Sequence, residues 1–331
     1  MVSSSPLESA SFGGFPSVVP AGCRLTLKKM GKVQYNFNWP SDYTAWAMSE
    51  MMRQSPMLSE VPRDAGTPDY AGFDVMRGAM VREGAEPIAE TAVLFSTHTR
   101  DLNVVREWQP SLFGLAQALE ALHVPYEFVP DAGLTVGRLR KYKVLFLSGF
   151  DRLTAADHAV LDGFRKAGGR IVDGVEGAAG FCQPELVSIP ARIGKEVFRY
   201  DPDPVAEADF RKRVAAAVGD AAWWRIEAPD RVMTSVWREK SGALAIHLLN
   251  LTGVRNKVGE VLDSGAPDPA FPPMDADIVL TVPLKDIGRA AAVSPDFDGE
   301  RNLETRPASD GGTTVVLPKE LLKTYTLIRL K

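Results

Sequence analysis

"YKVLFLSGFDRLTAADHAVLDGFRKAGGRIVDG" occupies residues 142–174, and its order is apolar strand, turn, amphipathic helix, Gly-Gly and second apolar strand. Thr154 followed by Asp157 is a capping signal for the start of the helix, and Gly168-Gly169 supplies its end. The same alternation extends upstream. "TAVLFST" (91–97), "SLFGLAQALEALH" (111–123) and "VPYEFV" (124–129) precede "KVLFLSG" (143–149), joined by short connections. Continuous apolar strands separated by amphipathic helices predict a parallel sheet covered on both faces. "GKEVFRY" (194–200) and the helix "AEADFRKRVAAAV" (206–218) are expected to add one more strand and its cover, so that this α/β unit spans residues 90–225.

In many α/β enzymes a nucleophile stands where such a strand ends. A nucleophile elbow needs Gly-x-Ser-x-Gly, because small neighbours permit the strained turn that lifts the side chain above the sheet. Here the strand ends Phe146-Leu147-Ser148-Gly149-Phe150: glycine is missing before Ser148, and Phe150 fills the second glycine's place. No partner base stands at the end of the last strand either. Ser148 and Gly149 therefore read as a turn into the next helix. The polar stretch "STHTRD" (96–101) after the first strand is read as a loop at the sheet's ligand edge. It makes Ser96, His98, Arg100, Asp101, Ser148 and Asp151 an alternative site, that of an amidotransferase-like hydrolase.

Downstream the pattern changes. "RVMTSVWRE", "ALAIHLLNL", "ADIVLTVPL", "AAAVSP", "TTVVLP" and "YTLIRL" are short strands separated by turns rich in Gly, Pro, Asp and Ser, which predicts an antiparallel β-sandwich over residues 226–331. Asn250-Leu251-Thr252 fits a glycosylation sequon, but without a secretion signal it reads as strand-end chemistry. Trp108, Trp223, Trp224 and Trp237 offer stacking surface for a sugar, although Trp223-Trp224 also reads as a plug between domains.

Upstream, residues 1–89 are uneven. "KVQYNFNW" reads as a strand, "DYTAWAMSEMMRQSPML" as a helix stopped by Pro56, and residues 59–89 as a polar connector over the surface. The 331 residues carry a net charge of -4 at a pI near 5.7, which gives no basic footprint for nucleic acid. No run approaches the roughly 18 apolar residues of a membrane span, and residues 1–20 lack the layout of a signal peptide, so cytoplasmic residence is expected. Cys23 and Cys182 form no disulfide framework, and His98, His123, His158 and His247 have no metal-ligand spacing; no metal and no cofactor is expected.

Residues 114–174, with "ALEALHVPYEFV", "RLRKYKVLFL" and "LTAADHAVLDGFRKAGGRIV" in that order, resemble the trimerisation domain of family 42 glycoside hydrolases, the bacterial β-galactosidases, and its relatives in other glycosidases. The resemblance runs from about Glu90 to Lys331, through "GKEVFRY" and "RVMTSVWREKSGALAIHLLNLTG" into the sandwich. It implies a flavodoxin-like, class I glutamine amidotransferase-like sheet without the nucleophile, which supports oligomer contacts and borders the sugar site. Hydrolysis in the family belongs to an upstream (β/α)8 barrel, which takes about 250 residues.

"PLESASFGGFPSVVPAGCRLTLKKMGKVQYNFNW" (6–39) looks like the last two strands of such a barrel, so residues 1–89 are read as its remnant. By that match Glu8 falls on the nucleophile's position, and Gln34, Asn36, Asn38 and Trp39 fall on or beside the substrate end of the last strand. An exposed Glu near a chain end is the alternative for Glu8, and a packing residue the alternative for Trp39. A retaining glycosidase needs two carboxylates about 5–5.5 Å apart, and the family's proton donor comes from a barrel strand that has no counterpart here. The resemblance therefore implies the carboxyl-terminal, non-catalytic portion of a β-galactosidase-like or α-fucosidase-like hydrolase. Its expected partners are a carbohydrate substrate and either a homo-oligomer or a complementary barrel chain. A carbohydrate-binding or scaffold protein is a further alternative.

Overall fold

The computed structural model describes residues 85–102, 108–147, 153–174, 204–252 and 271–331, together with four-to-five-residue strands elsewhere, the pair Ser3–Ser4 and the helical residue Met51. Strands β1 (Ser3–Ser4), β2 (Tyr35–Asn38) and β3 (Ser55–Leu58) form a parallel sheet with β2 in the middle. Pro56 lies inside β3, where the sequence predicts the end of a helix. An edge strand tolerates a residue with no N–H to donate, and β3 is an edge among the described residues.

The expected surface connector ends instead as a strand. β4 (Glu86–Pro87) hydrogen-bonds to the downstream antiparallel region, and the chain then enters the parallel sheet at β5 (Thr91–Phe95). After β5 come helices α1 (Thr97–Leu102) and α2 (Trp108–Ala121), β6 (Tyr126–Pro130), α3 (Val136–Leu139), β7 (Val144–Leu147), α4 (Ala155–Lys166) and β8 (Arg170–Asp173). The strands lie in the order β6-β5-β7-β8, every pair parallel.

Alternate side chains of the same strand enter different cores, which is why the strands read as unbroken apolar runs. Val93 and Phe95 pack with Leu112, Leu115 and Leu119 of α2, whereas Ala92 and Leu94 pack with Leu139, Leu161 and Phe164 on the other face. The predicted capping box of α4 is present: the Thr154 hydroxyl accepts from the Asp157 amide at 3.2 Å, and the Asp157 carboxylate accepts from the Thr154 amide at 2.8 Å. Gly168 follows the helix with φ +91°, a conformation open to glycine.

"GKEVFRY" does not extend this sheet. Its strand β10 (Lys195–Arg199) pairs antiparallel with β9 (Gln183–Val187) in a separate two-stranded sheet. Both strands mix charged and apolar residues, whereas a parallel strand buried on both faces needs continuous apolar sequence. The helix that follows, α5 (Pro204–Val218), does provide cover: Phe210, Val214 and Val218 join the core beneath α2.

The remaining strands are β11 (Arg225–Glu227), β12 (Val232–Arg238), β13 (Leu244–Asn250), β14 (Ile278–Val282), β15 (Ala290–Ser294), β16 (Phe297–Asn302), β17 (Glu304–Pro307), β18 (Thr313–Leu317) and β19 (Tyr325–Leu330). They form a six-stranded sheet, β16-β15-β19-β13-β12-β4, and a four-stranded sheet, β11-β14-β18-β17, with antiparallel pairs throughout. Val236, Ile246 and Ile328 of the first share one core with Leu280, Val315 and Leu317 of the second. β11 precedes the first strand expected of the sandwich, β16 and β17 lie where the sequence predicts turns, and β16 and β17 are nearly all exposed.

The outer faces of the two sheets differ. β14 and β18 alternate buried and half-buried residues, whereas β13 is buried at every position. The second face of the six-stranded sheet carries Ala245, His247, Leu249, Tyr325, Leu327, Ala291 and Val293, all buried. On this face the Ser235 hydroxyl (3.0 Å) and the Trp237 indole N–H (2.9 Å) both donate to the carbonyl of Met51, itself fully buried. The six-stranded sheet thus shares a core with the four-stranded sheet on one side and is met by Met51 on the other.

Candidate functional site

In the order β6-β5-β7-β8, the connection from β5 runs one way to β6 and that from β7 runs the other way to β8. Open α/β sheets bind ligands beyond the carboxyl ends of the strands at such a reversal. Ser96, Thr97 and His98 leave β5 at this edge, and Asp131 leaves the neighbouring β6. The Asp131 amide donates to the Phe95 carbonyl at 3.1 Å, which continues the strand pairing by one bond.

Asp131 is buried, and its carboxylate accepts the Ser96 hydroxyl at 3.0 Å, the Thr97 hydroxyl at 2.5 Å and the His98 amide at 3.3 Å. Burial pushes its pKa upward, but the hydrogen bonds from Thr97, His98 and Ser96 together outweigh that and hold the carboxyl below its usual range. The Ser96 oxygen in turn accepts the Thr99 amide at 3.0 Å. Orphan amides in the first turn of α1 are thereby satisfied from a neighbouring strand's loop. "STHTRD" is a helix start pinned by a distant carboxylate, not the loop expected from its polarity.

This arrangement is a cap and not an activated nucleophile. Ser96 gives its proton to a carboxylate that is a weaker base than a free Asp, so the pair lacks the strong base that nucleophilic catalysis requires. His98 is solvent-exposed, and Arg100 and Asp101 lie on α1. Ser148 and Asp151 lie outside the described residues, as do Glu8, Gln34 and Trp39. Asn36 and Asn38 lie on β2, in register with Pro56 and Leu58 of β3. Asp131 was missed as a site residue; its one signal is an Asp directly after a strand in "VPDAG", and its contact with Ser96 depends on which strands are neighbours.

At the opposite, amino-terminal edge of the parallel sheet, a cleft of about 420 Å³ separates the ends of α2 and α5 from β11 and β14. Leu122, Val124, Val218 and Trp224 form its apolar wall, and Arg225 and Thr281 lie on the other side. Trp224 is buried and donates its indole N–H to the His123 carbonyl at 2.6 Å, so it is the plug between layers and not a sugar platform. Trp237 uses its N–H toward Met51 in the same manner. Asn250 is fully buried: its amide donates to the carbonyls of Pro272 (3.0 Å) and Lys323 (2.8 Å), and its oxygen accepts from the Thr252 amide (3.0 Å). The sequon therefore closes a strand end. Among the described residues no cluster of His, Cys, Asp and Glu is placed to hold a metal, and no helix is long and apolar enough to cross a membrane.

No family model matches the chain, and no curated protein matches it in sequence. Solved structures do match its fold. α-L-Fucosidase isoenzyme 2 from Paenibacillus thiaminolyticus superposes with a TM-score of 0.60 at 14% identity, over 87% of this chain and 56% of that one. A GH42 β-galactosidase from G. stearothermophilus gives a TM-score of 0.52 at 9% identity over 93% of this chain and 56% of its own, and its catalytic mutant gives 0.51 at 8% over 94% and 57%. The chain thus spans little more than half the length of these structures, and at such identities the likeness is one of fold: a glycoside-hydrolase-like architecture of parallel and antiparallel sheets.

Proposed function

We propose that this chain is the carboxyl-terminal portion of a carbohydrate-active glycoside hydrolase of the β-galactosidase or α-fucosidase kind, with roles in assembly and at the rim of the sugar site. The observation that carries the reading is the fold match to an α-L-fucosidase over 87% of this chain but 56% of the other. The strand order β6-β5-β7-β8 supports a flavodoxin-like, amidotransferase-like middle unit, and the three parallel strands β1 to β3 support an incomplete barrel. In this reading the six-stranded sheet is the base on which the barrel portion rests, through Met51, Ser235 and Trp237. Completion of the barrel, by further chain or by a complementary one, would supply the second carboxylate that glycoside hydrolysis needs. Glu8, Gln34, Asn36, Asn38 and Trp39 are the positions proposed to meet the sugar.

The alternative of a free-standing amidotransferase-like hydrolase draws little from the carboxyl edge, where Ser96 and Asp131 are engaged in capping α1. The proposal is tested by assaying the chain against nitrophenyl β-galactoside and α-fucoside, alone and joined to a barrel segment supplying the donor strand. Turnover only in the joined form, abolished by Glu8→Gln, is expected. Hydrolysis by the chain alone would end the non-catalytic reading, and inactivity of both forms toward every glycoside would end the carbohydrate reading.

A further inference from the structure

Helix α2 ends in a double hydrogen-bonded turn: the Val124 amide donates to the Leu119 carbonyl and the His123 amide to the Glu120 carbonyl, each at 2.9 Å. The residue beyond such a helix end adopts the left-handed conformation and is usually glycine. Here it is His123, with φ +53°, buried to 5% exposure. A histidine held in that conformation has its ring and carbonyl aimed at the next layer. The carbonyl accepts the Trp224 indole N–H at 2.6 Å, and ring Nε2 lies 3.3 Å from the Ala228 carbonyl. A carbonyl only accepts, so Nε2 carries the proton in the neutral ring and Nδ1 is the bare nitrogen. Nδ1 is buried and has no hydrogen-bond partner among the described residues.

We infer that His123 is a pH-sensitive latch between the parallel-sheet layer and the sandwich: the neutral ring locks the two, and proton uptake at Nδ1 releases them along the Trp224 junction. Protonation would place a charge in a buried site and make a donor of Nδ1, which has no hydrogen-bond partner as the ring stands. The charged groups facing the ring are Asp230, from the segment before β12, which favours the charged ring, and Arg211 of α5, which pairs with Asp230 at 2.7 Å and opposes it more weakly. Glu207 of α5 is paired with Arg211, and Glu120 is the buried acid on the histidine's own helix. Burial is the largest influence on the ring and lowers its pKa below 6.5, against the opposing contacts with the Ala228 carbonyl, Asp230 and Pro229. The sign follows: the unfolded chain takes up the proton more readily, so stability from this site is complete above about pH 6.5 and is lost as pH falls below it. The neighbours Leu122, Val124 and Trp224 line the 420 Å³ cleft, so release of the latch also alters that cleft.

The test compares the full chain with His123→Asn, since asparagine tolerates the left-handed conformation and does not titrate. Urea midpoints at pH 7.5 and 5.5 are measured for both, alongside an NMR titration of the histidine rings and exchange of the Trp224 indole proton. A larger midpoint loss in wild type than in the variant is expected, with Trp224 exchange accelerated at pH 5.5 in wild type alone. His98, His158 and His247 are common to both proteins and cancel in the comparison. Equal midpoint losses, or a His123 ring that titrates at or above 6.5, would overturn the latch. If the variant fails to fold, the wild type alone decides: a His123 ring that titrates at or above 6.5, or Trp224 indole exchange no faster at pH 5.5 than at 7.5, would overturn the latch.

Discussion

The six-stranded and four-stranded sheets share a core and a strand direction pattern, yet only one of them keeps an open face. In the four-stranded sheet "IVLTV" and "TTVVL" alternate in burial, as half-exposed strands do. In the six-stranded sheet "LAIHLLN" and "AAAVS" are buried throughout. An antiparallel strand with no polar face therefore announces a further layer, and here the fully buried Met51 marks it. The buried pair His247 and Tyr325, 2.6 Å apart from Nδ1 to the hydroxyl, lies within this covered face and provides a polar point in an otherwise apolar contact.

The largest effects are expected where that contrast is sharpest. Leu249→Ala, on the covered outer face, is expected to cost about 2–5 kcal/mol, as a deletion in a true core does. Val316→Ala, on the open face of the other sheet, is expected to cost under about 1 kcal/mol. Urea unfolding of the two variants measures both, and similar losses would mean that the two outer faces are equivalent after all.

A smaller loss is expected from the carboxyl edge of the parallel sheet. Asp131→Ala removes an ionised acceptor from three donors, for about 1.5–3 kcal/mol. Because the folded carboxyl is held below 3.8, its contribution is present above that pH and is lost as acid drives protonation through the lower folded value. Acid unfolding of Asp131→Asn should accordingly be less steep than that of wild type; equal acid profiles would show that the carboxylate's charge contributes nothing.

Ser235→Ala is expected to remove about 1 kcal/mol, because one of the two donors to the Met51 carbonyl is lost while Trp237 remains. Its distinctive readout is limited proteolysis: cleavage before residue 85 should rise while cleavage within the parallel sheet does not. Uniform susceptibility would instead mean that the sheet is not the seat of the amino-terminal region. Thr154→Ala, at the start of α4 in the parallel-sheet unit, should cost about 1 kcal/mol through loss of the cap and leave that proteolysis pattern as in wild type.

Much of this architecture is legible in residue order, and the exceptions have physical causes. β5, β7 and α4 announce themselves because burial on two faces and a capping box leave local marks. Asn250 reads correctly as a strand-end residue because its Thr252 contact is local. β16 and β17 escape detection: "FDGERN" and "ETRP" are exposed edge strands, and an edge needs backbone pairing but no apolar period. Asp131 and the latch at His123 depend on partners distant in sequence, Ser96 and Ala228, so no local spacing encodes them. The contact with Met51 is illegible for a different reason: continuous burial tells that a face is covered without telling by what.

The short strand β4 has a kinetic consequence. Its partner β12 lies on the far side of the whole parallel-sheet unit, so that unit is an insertion between two adjacent strands of one sheet. On the ribosome, Glu86 and Pro87 emerge and must wait while the inserted unit is synthesised, roughly 7 to 30 seconds at about 5–20 residues per second. The parallel sheet can collapse in that interval, with its entry and exit held together only once β12 arrives. Closure of the six-stranded sheet around β4 therefore waits for β12 and for the strands β13, β15, β16 and β19 that follow it.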